Sequence, residues 1–329
     1  METNNSIIVT SRVRLARNVD KTPFPHKLRD KNAFDGIIKF ASQTADKLFP
    51  YKLLLMSQMD GVNREALVEK HLISRDLVQN TESGAVLLSD DETVSVMLNE
   101  EDHFRIQSIR KGEDLEGAFK AAKQFDRVLG DKVMLAYSDR YGYLTACPTN
   151  VGTGMRASVM LFLPALTINK SISSIIVAVQ KLGLTVRGVY GEGSRADGCM
   201  YQLSNRISLG ITEQEILDSV AVTAQTIENA ELEARSLLLS RRGITLKDEL
   251  SRAYGVLKSA CILTSAELNE LLTKVKLGVA LGIINADGAV LDKLSVDCLP
   301  ANMTIIAGHE LSEIDRDAYR AEYVKKILK

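Results

Sequence analysis

Apolar and polar residues alternate with period two through 6–17, 52–59, 84–108 and 133–148, the pattern of strands with one buried face. Within the third run Val94, Val96 and Leu98 alternate with Ser95, Met97 and Asn99. Turn residues separate such runs at short intervals, so neighbouring strands are expected to pair antiparallel. Elsewhere the spacing becomes that of amphipathic helices, predicted at 32–48, 115–129, 156–166 and 171–182. The pattern predicts an α+β fold, a mainly antiparallel sheet flanked by helices.

Beyond Gly210 the character changes. Thr212 and Glu215 form a capping box, and Ile216, Val220, Ala224, Ile227, Ala230, Ala234 and Leu237 keep helical spacing. A second box, Thr264 with Glu267, opens another helix, and no strand is expected from there to Lys329. The expected organisation is an α+β domain over 1–235 and a small all-helical domain over 236–329.

Composition narrows the functional classes. Of 329 residues, 45% are hydrophobic and 25% charged, and the net charge of -1 hides no long block of one sign, which argues against a nucleic-acid partner. No apolar run is long enough to span a bilayer. Cys147, Cys199, Cys261 and Cys298 lie far apart, which reads as a reducing cytoplasm; Cys199 and Cys261 are expected to be buried hydrophobes. The four histidines show no metal-ligand spacing, so no protein-held metal is expected.

Arginines recur at the ends of predicted strands. Arg12 and Arg14 share one strand face, Arg105 closes "NEEDHFR", Arg156 follows "NVGTGM" and Arg187 precedes "GVYGEGS". Guanidinium forks match phosphate oxygens, and five of them would suit a nucleoside triphosphate; singly, each is as well read as a surface ion-pair partner. Walker A is absent. Glu100, Glu101 and Asp102 follow one another, and Glu192 sits between glycines, so two carboxylates could clamp a cationic guanidinium acceptor.

These segments carry a resemblance. "CPTNVGT" is the signature of the phosphagen kinases, the creatine and arginine kinases. "SRVRLAR", "NEEDHFRIQ", "GTGMRASVM" and "RGVYGEGS" resemble their other nucleotide- and guanidino-binding segments, in the same order across roughly residues 6–235. The stretch from Tyr141 to Leu166 is most similar to the bacterial branch that phosphorylates arginine side chains in proteins. The resemblance implies an ATP-binding set of Ser11, Arg12, Val13, Arg14, Leu15, His71, Arg105, Arg156, Ala157, Ser158, Val159, Met160, Arg187, Gly188, Val189, Tyr190 and Gly191. It also implies Glu101 as catalytic carboxylate, Glu192 as second guanidinium clamp and Cys147 beside the acceptor nitrogen. His71, at an expected helix end, could instead cap carbonyls. Gly152 and Gly154 are expected to let the backbone approach the nucleotide, with Arg156 at a helix N-terminus.

The expected activity is transfer of the γ-phosphoryl group of Mg-ATP to protein arginine, with magnesium held mainly by phosphates and water. The first signature arginine is already residue 12, which leaves no room for the helical lid domain of small-substrate kinases and implies an open acceptor pocket. A free-arginine or other small-guanidino kinase and a non-catalytic phosphoarginine-binding adaptor are the alternatives. "RDAYRA" places Arg316, Asp317 and Arg320 together on one predicted helix. Spacing alone favours a solvated helix; the resemblance implies a phosphoarginine-reading allosteric site. It further implies a homodimer, a small activator protein, a heat-shock repressor among the substrates, and delivery to a Clp protease in a stress response.

Overall fold

The computed structural model describes residues 6–188 and 197–329. In chain order the strands are β1 (Ile8–Arg17), β2 (Tyr51–Leu55), β3 (Ala85–Ser89), β4 (Val94–Leu98), β5 (Phe104–Lys111), β6 (Tyr137–Ser138), β7 (Gly142–Tyr143), β8 (Met155–Phe162), β9 (Leu184–Gly188) and β10 (Met200–Asn205). The helices are α1 (Lys31–Ala45), α2 (Gly61–Glu69), α3 (Arg75–Gln79), α4 (Leu115–Gly130), α5 (Pro164–Ile168), α6 (Ile172–Lys181), α7 (Glu213–Ser259), α8 (Ser265–Ala280), α9 (Gly288–Asp297), α10 (Pro300–Ala307) and α11 (Glu313–Ile327). Among the described residues eight strands form one sheet in the order β2-β3-β4-β5-β1-β8-β10-β9, every pair antiparallel. The expected α+β class is therefore the observed one.

Val13, Leu15, Ile106, Ala157, Val159, Val186 and Leu203 supply one apolar face of the sheet to the core. Helices α1, α4 and α7 pack against it. On the opposite face α2 and the turn after it cover only the β3–β4 end, through Leu67, Val68 and Leu72 against Val86, Leu88 and Met97. Beyond that cover the same face carries polar side chains.

Two readings of the pattern need correction. Residues 156–166 are not a helix: Met155–Phe162 is a central strand, and Pro164 opens the short α5. Met155, Ala157, Val159 and Leu161 are buried while Arg156 and Met160 are not. An apolar run between two partners satisfies strand and helix periodicity alike, and pairing with β1 and β10 decides it. Cys261 is exposed rather than buried, whereas Cys298 is buried.

The Thr212–Glu215 capping box forms as expected, and Thr264 accepts from the Glu267 N–H. From Thr264 to Lys329 the described structure is helical. The helix opened at Thr212 runs through residue 236 to Ser259, with non-helical dihedrals at Gly243 (φ 43°, ψ -115°).

Arg17 and Asp126 fasten the centre of the sheet to α4. The Arg17 guanidinium donates to both carboxylate oxygens at 2.7 and 2.9 Å, and to the Ala16 and Thr153 carbonyls. Its face lies 3.5 Å from the Tyr143 ring centroid. Both partners are buried, so removing the anion strands a charge inside the protein. Asp126→Asn should lower unfolding free energy by about 3 kcal/mol in urea melts; a loss under about 1 kcal/mol would show the pair to be dispensable.

Candidate active site

β1 lies between β5 and β8, and the register fixes which side chains meet. Arg14 stands opposite Gln107 on one side and Arg156 on the other; Arg12 stands opposite Ser158, and Ala16 opposite Arg105. Further along, Gln202 on β10 stands opposite Met160 on β8 and Arg187 on β9. Paired residues share a face, and successive residues alternate faces. Arg12, Arg14, Arg105, Arg156 and Arg187 therefore all rise from the face that α2 leaves uncovered. The expected helix N-terminus at Arg156 is replaced by a strand position, and the arginine still reaches the cluster.

Among the described residues the cluster has few anionic partners. Arg12 donates to Gln202 Oε1 at 2.9 Å, Arg156 to Ser204 Oγ at 3.2 Å, and Arg105 to both oxygens of Glu100 at 2.7 and 2.8 Å. The Nε atoms of Arg14 and Arg156 are buried and have no hydrogen-bond partner among the described residues. Burial, then Arg12, Arg105 and Arg156, push the Arg14 guanidinium well below its ordinary range. Arg156 is lowered by burial, Arg187 and Arg105, against an opposing effect of Cys147. Buried donors without acceptors among mutually repelling cations fit a polyanion. His71, behind α2, has φ +61° and is pushed down to about 4 by burial and by Arg12.

Of the other expected nucleotide contacts, Ser158 and Met160 lie on the arginine face, by their pairing with Arg12 and Gln202. Val13, Leu15, Ala157 and Val159 turn into the helix-packed core instead. Ser11 is buried on that side and spends its hydroxyl on the Gly112 carbonyl and the Asp114 N–H. Strand alternation sends every second residue of a matched segment away from the site. Gly188 ends β9, whereas Val189, Tyr190, Gly191 and Glu192 lie outside the described residues.

Two loops form the rim. Glu101 projects from the β4–β5 turn, its pKa raised by burial and by its neighbours Asp102 and Glu100. Asp102, buried beside it, accepts from the Ala146 N–H and from Asn18 Nδ2, both at 2.7 Å. That bond to Ala146 ties the carboxylate turn directly to the residue before Cys147. Cys147 opens a 3-10 turn, with Sγ 3.0 Å from Thr149 Oγ1. The glycines of this loop are required by the protein's own backbone. A Cβ on Gly152 (φ +114°) would lie 2.1 Å from the Ser208 carbonyl oxygen, and one on Gly154 (φ +64°) 2.7 Å from that of Ala16.

Asn18, Ser74 and His103 were given no site role from the sequence, and Asp102 only a place in the acidic run. Ser74 and Arg105 hold Glu100 from two sides, and Asn18 bridges Asp102, the Leu144 carbonyl and the His103 N–H. Asp102 and His103 belong to the "NEEDH" turn itself, whereas Asn18 and Ser74 carried no local signal, their partners lying 26 to 126 residues away.

In the helical domain Arg316, Asp317 and Arg320 do share one end of α11. Arg320 is fully buried and donates to the Cys298 carbonyl at 2.9 Å, the Leu263 carbonyl at 2.7 Å and the Asp317 carboxylate. Arg316 Nε is buried without a hydrogen-bond partner among the described residues.

Fold and site together fit a phosphoryl-transfer enzyme, with an uncovered arginine face and a carboxylate beside it. Comparison with known proteins narrows this. The family model for the ATP:guanido phosphotransferase C-terminal catalytic domain matches residues 34–234, and that for the protein-arginine kinase McsB C-terminal domain matches 243–329. The chain is 45% identical over 326 residues to a protein-arginine kinase of Halothermothrix orenii, covering 98% of this chain and 93% of the relative. It is 41% identical to one from Caldanaerobacter subterraneus, covering 100% and 98%. Among solved structures, lombricine kinase matches with TM-score 0.60 and 24% identity, covering 69% of this chain and 67% of that one. A substrate-free duplicated taurocyamine kinase of Schistosoma mansoni matches with TM-score 0.61 and 24% identity, covering 80% and 39%. The chain belongs to the ATP:guanido phosphotransferases, in their protein-arginine kinase branch.

His103 tests the packing behind the rim. Its Nδ1 accepts from the Val19 N–H at 3.0 Å, so Nε2 carries the proton toward the Pro23 carbonyl, also at 3.0 Å. Burial holds it neutral, with the pKa pushed down to about 4. The unfolded chain binds the proton more readily, so this stability is present above about 6.5 and lost as pH falls toward 4. In urea melts from pH 7 to 4, His103→Gln should reduce that acid-side loss by up to about 3 kcal/mol relative to wild type. Parallel curves would show that His103 does not drive it.

Proposed function

We propose that this protein transfers the γ-phosphoryl group of Mg-ATP to arginine side chains of other proteins. The observation that carries the reading is the cluster of five arginines on one sheet face, two with buried nitrogens unpartnered among the described residues, edged by Glu101 and Cys147. Choice of acceptor is supported by the relatives named protein-arginine kinase and by the matching helical domain.

Arg12, Arg14, Arg105, Arg156 and Arg187 would neutralise the phosphates, with His71 along the nucleotide. Arg105 would divide its fork between Glu100 and phosphate. Magnesium would be carried mainly by phosphate oxygens and water. In an in-line displacement the acceptor guanidino nitrogen forms the N–P bond as the β–γ bridging oxygen leaves on ADP. The acceptor's proton passes to Glu101, which must be ionised beforehand. Cys147, near Arg156, lines the acceptor side. Positioning and charge neutralisation supply most of the rate. At the second cluster, Arg316 would grip the phosphate and Asp317 the guanidinium of phosphoarginine. Regulation by that product, delivery of modified proteins to a Clp-type protease and release of a heat-shock repressor belong to the same reading and rest on kinship alone.

Glu101→Gln should reduce kcat by roughly 10²–10⁴ while leaving binding of a fluorescent ATP analogue within twofold. Arg156→Ala should weaken analogue binding by about tenfold as well as slowing turnover. Phosphate located by mass spectrometry on free arginine, with none on an unfolded protein, would replace the acceptor assignment with a small-guanidino one. Near-normal turnover by Glu101→Gln would remove the base assignment. Because its pKa is raised, wild-type activity should fall on the acid side above the ordinary glutamate value of 4.5.

Free phosphoarginine, titrated calorimetrically with the active site blocked by a non-hydrolysable ATP analogue and arginine, should bind Arg316→Ala about tenfold more weakly than wild type. Equal affinities would eliminate the second site. Arg320→Ala is the poorer probe, because it also frees two buried carbonyls.

A further inference from the structure

Glu69 breaks a local rule. It is the last residue of α2, where the helix dipole disfavours an anion, and it is buried. Its partners lie 232 residues away in the helical domain. Oε1 accepts from the Ala301 N–H at 2.9 Å; Oε2 accepts from the Asn302 N–H at 2.9 Å and from Asn302 Nδ2 at 2.7 Å. These are the first-turn donors of α10, whose N-cap is Leu299 and which has no side-chain cap of its own. One carboxylate thus satisfies groups that α10 would otherwise bury unpaired, and α10 in turn offers the positive end of its dipole to an anion α2 cannot stabilise. The first turn of α10 is incomplete without Glu69, whereas the α2 backbone closes on itself, the Lys70, His71 and Leu72 N–H groups donating to the Ala66, Val68 and Leu67 carbonyls.

The catalytic side of this clasp ends at the nucleotide face. Two residues after Glu69, His71 takes its left-handed conformation, its carbonyl held by Gln107 Nε2 at 2.9 Å, and the next carbonyl, of Leu72, is held by Ser95 Oγ at 2.5 Å. Gln107 is the residue opposite Arg14. The helical-domain side of the clasp is equally firm: Arg320 donates to the Cys298 carbonyl, just before Leu299 and Pro300 open α10.

We propose that Glu69 is a positioning residue for nucleotide binding: by clasping the N-terminus of α10 it makes the docked helical domain part of what holds His71 in the nucleotide site. The proposal rests on the reading of His71 as a nucleotide contact. Displacement of α10, or of the Arg320–Cys298 contact behind it, is then felt as weakened ATP binding.

The test uses the full chain and measures ATP-analogue binding together with initial rates against ATP and against an unfolded protein substrate. The variants are Glu69→Gln, His71→Ala, their double mutant, and Asn302→Asp, which sets a second carboxylate against Glu69 without touching α2. Thermal melts establish that each is folded; if Glu69→Gln is not, Asn302→Asp and Asn302→Ala carry the measurement. Glu69→Gln and Asn302→Asp should each raise Kd and KM for ATP by roughly tenfold, within the usual range of coupling between sites. KM for the protein substrate should stay within twofold, and Glu69→Gln should add nothing to His71→Ala. Three outcomes overturn the proposal: ATP binding unchanged in Glu69→Gln while His71→Ala weakens it, equal losses for both substrates, or a full Glu69→Gln effect on the His71→Ala background. If His71→Ala leaves ATP binding unchanged, the nucleotide reading of His71 fails, and the positioning role fails with it.

Discussion

The pairing of β1 with β5 on one side and β8 on the other is the constraint on which the site depends. That register puts Arg14 against Arg156 and places Arg105 one step further along the same face. Left to themselves, such cations would spread into solvent. They stay because the alternate residues of the same strands, Val13, Leu15, Ala157 and Val159, are fixed in the core beneath α4 and α7. A shift of one residue would bury the guanidinium groups and expose the core, so apolar packing on one face enforces electrostatic crowding on the other. The crowding is what suits the uncovered face to a polyanion.

Around that face, buried carboxylates act as joints. Asp126 fixes Arg17 and so ties β1 to α4, and Asp102 ties the Glu101 turn to the Cys147 loop. Glu231 accepts from the Ala165 and Leu166 N–H groups and is paired with Arg235, joining α7 to the start of α5. Glu69 does for α10 what Glu231 does for α5, across the two parts of the chain. In each case one anion meets several donors that would otherwise be buried without acceptors, which makes removal of a single partner costly and the joint rigid. Phosphoryl transfer relies on placement more than on covalent chemistry, so rigidity here bears directly on rate.

Much of this could be read from the residues alone. Period-two alternation marked the strands, although Val94–Leu98 is buried on both faces rather than one because α2 covers the second, and the capping box at Thr212–Glu215 is a local motif that needs no tertiary partner. The arginines at strand ends and the "CPTNVGT" loop pointed to guanidino phosphoryl transfer, and the family matches agree. Local rules failed where a segment had two acceptable conformations. "RASVMLFL" has the apolar content of a helix and the alternation of a strand, and only its place between β1 and β10 decides for the strand. The glycines of 152 and 154 announced a close approach, and the protein's own backbone at Ser208 and Ala16 already requires them.

By itself, then, the sequence determined the alternation that makes strands, the helix caps, the count of arginines and the loop that marks the chemistry. These depend on residues within a few positions of one another, where spacing alone sets geometry. Tertiary structure alone decided that the five arginines share one face, that Ser11, Val13 and Leu15 turn away from it, and that Arg17 fastens β1 to α4. It alone decided that Glu69 belongs to α10 rather than to α2. Each of those outcomes depends on partners separated by tens to hundreds of residues, brought together by strand register and by the need of every buried charge and N–H group for a partner.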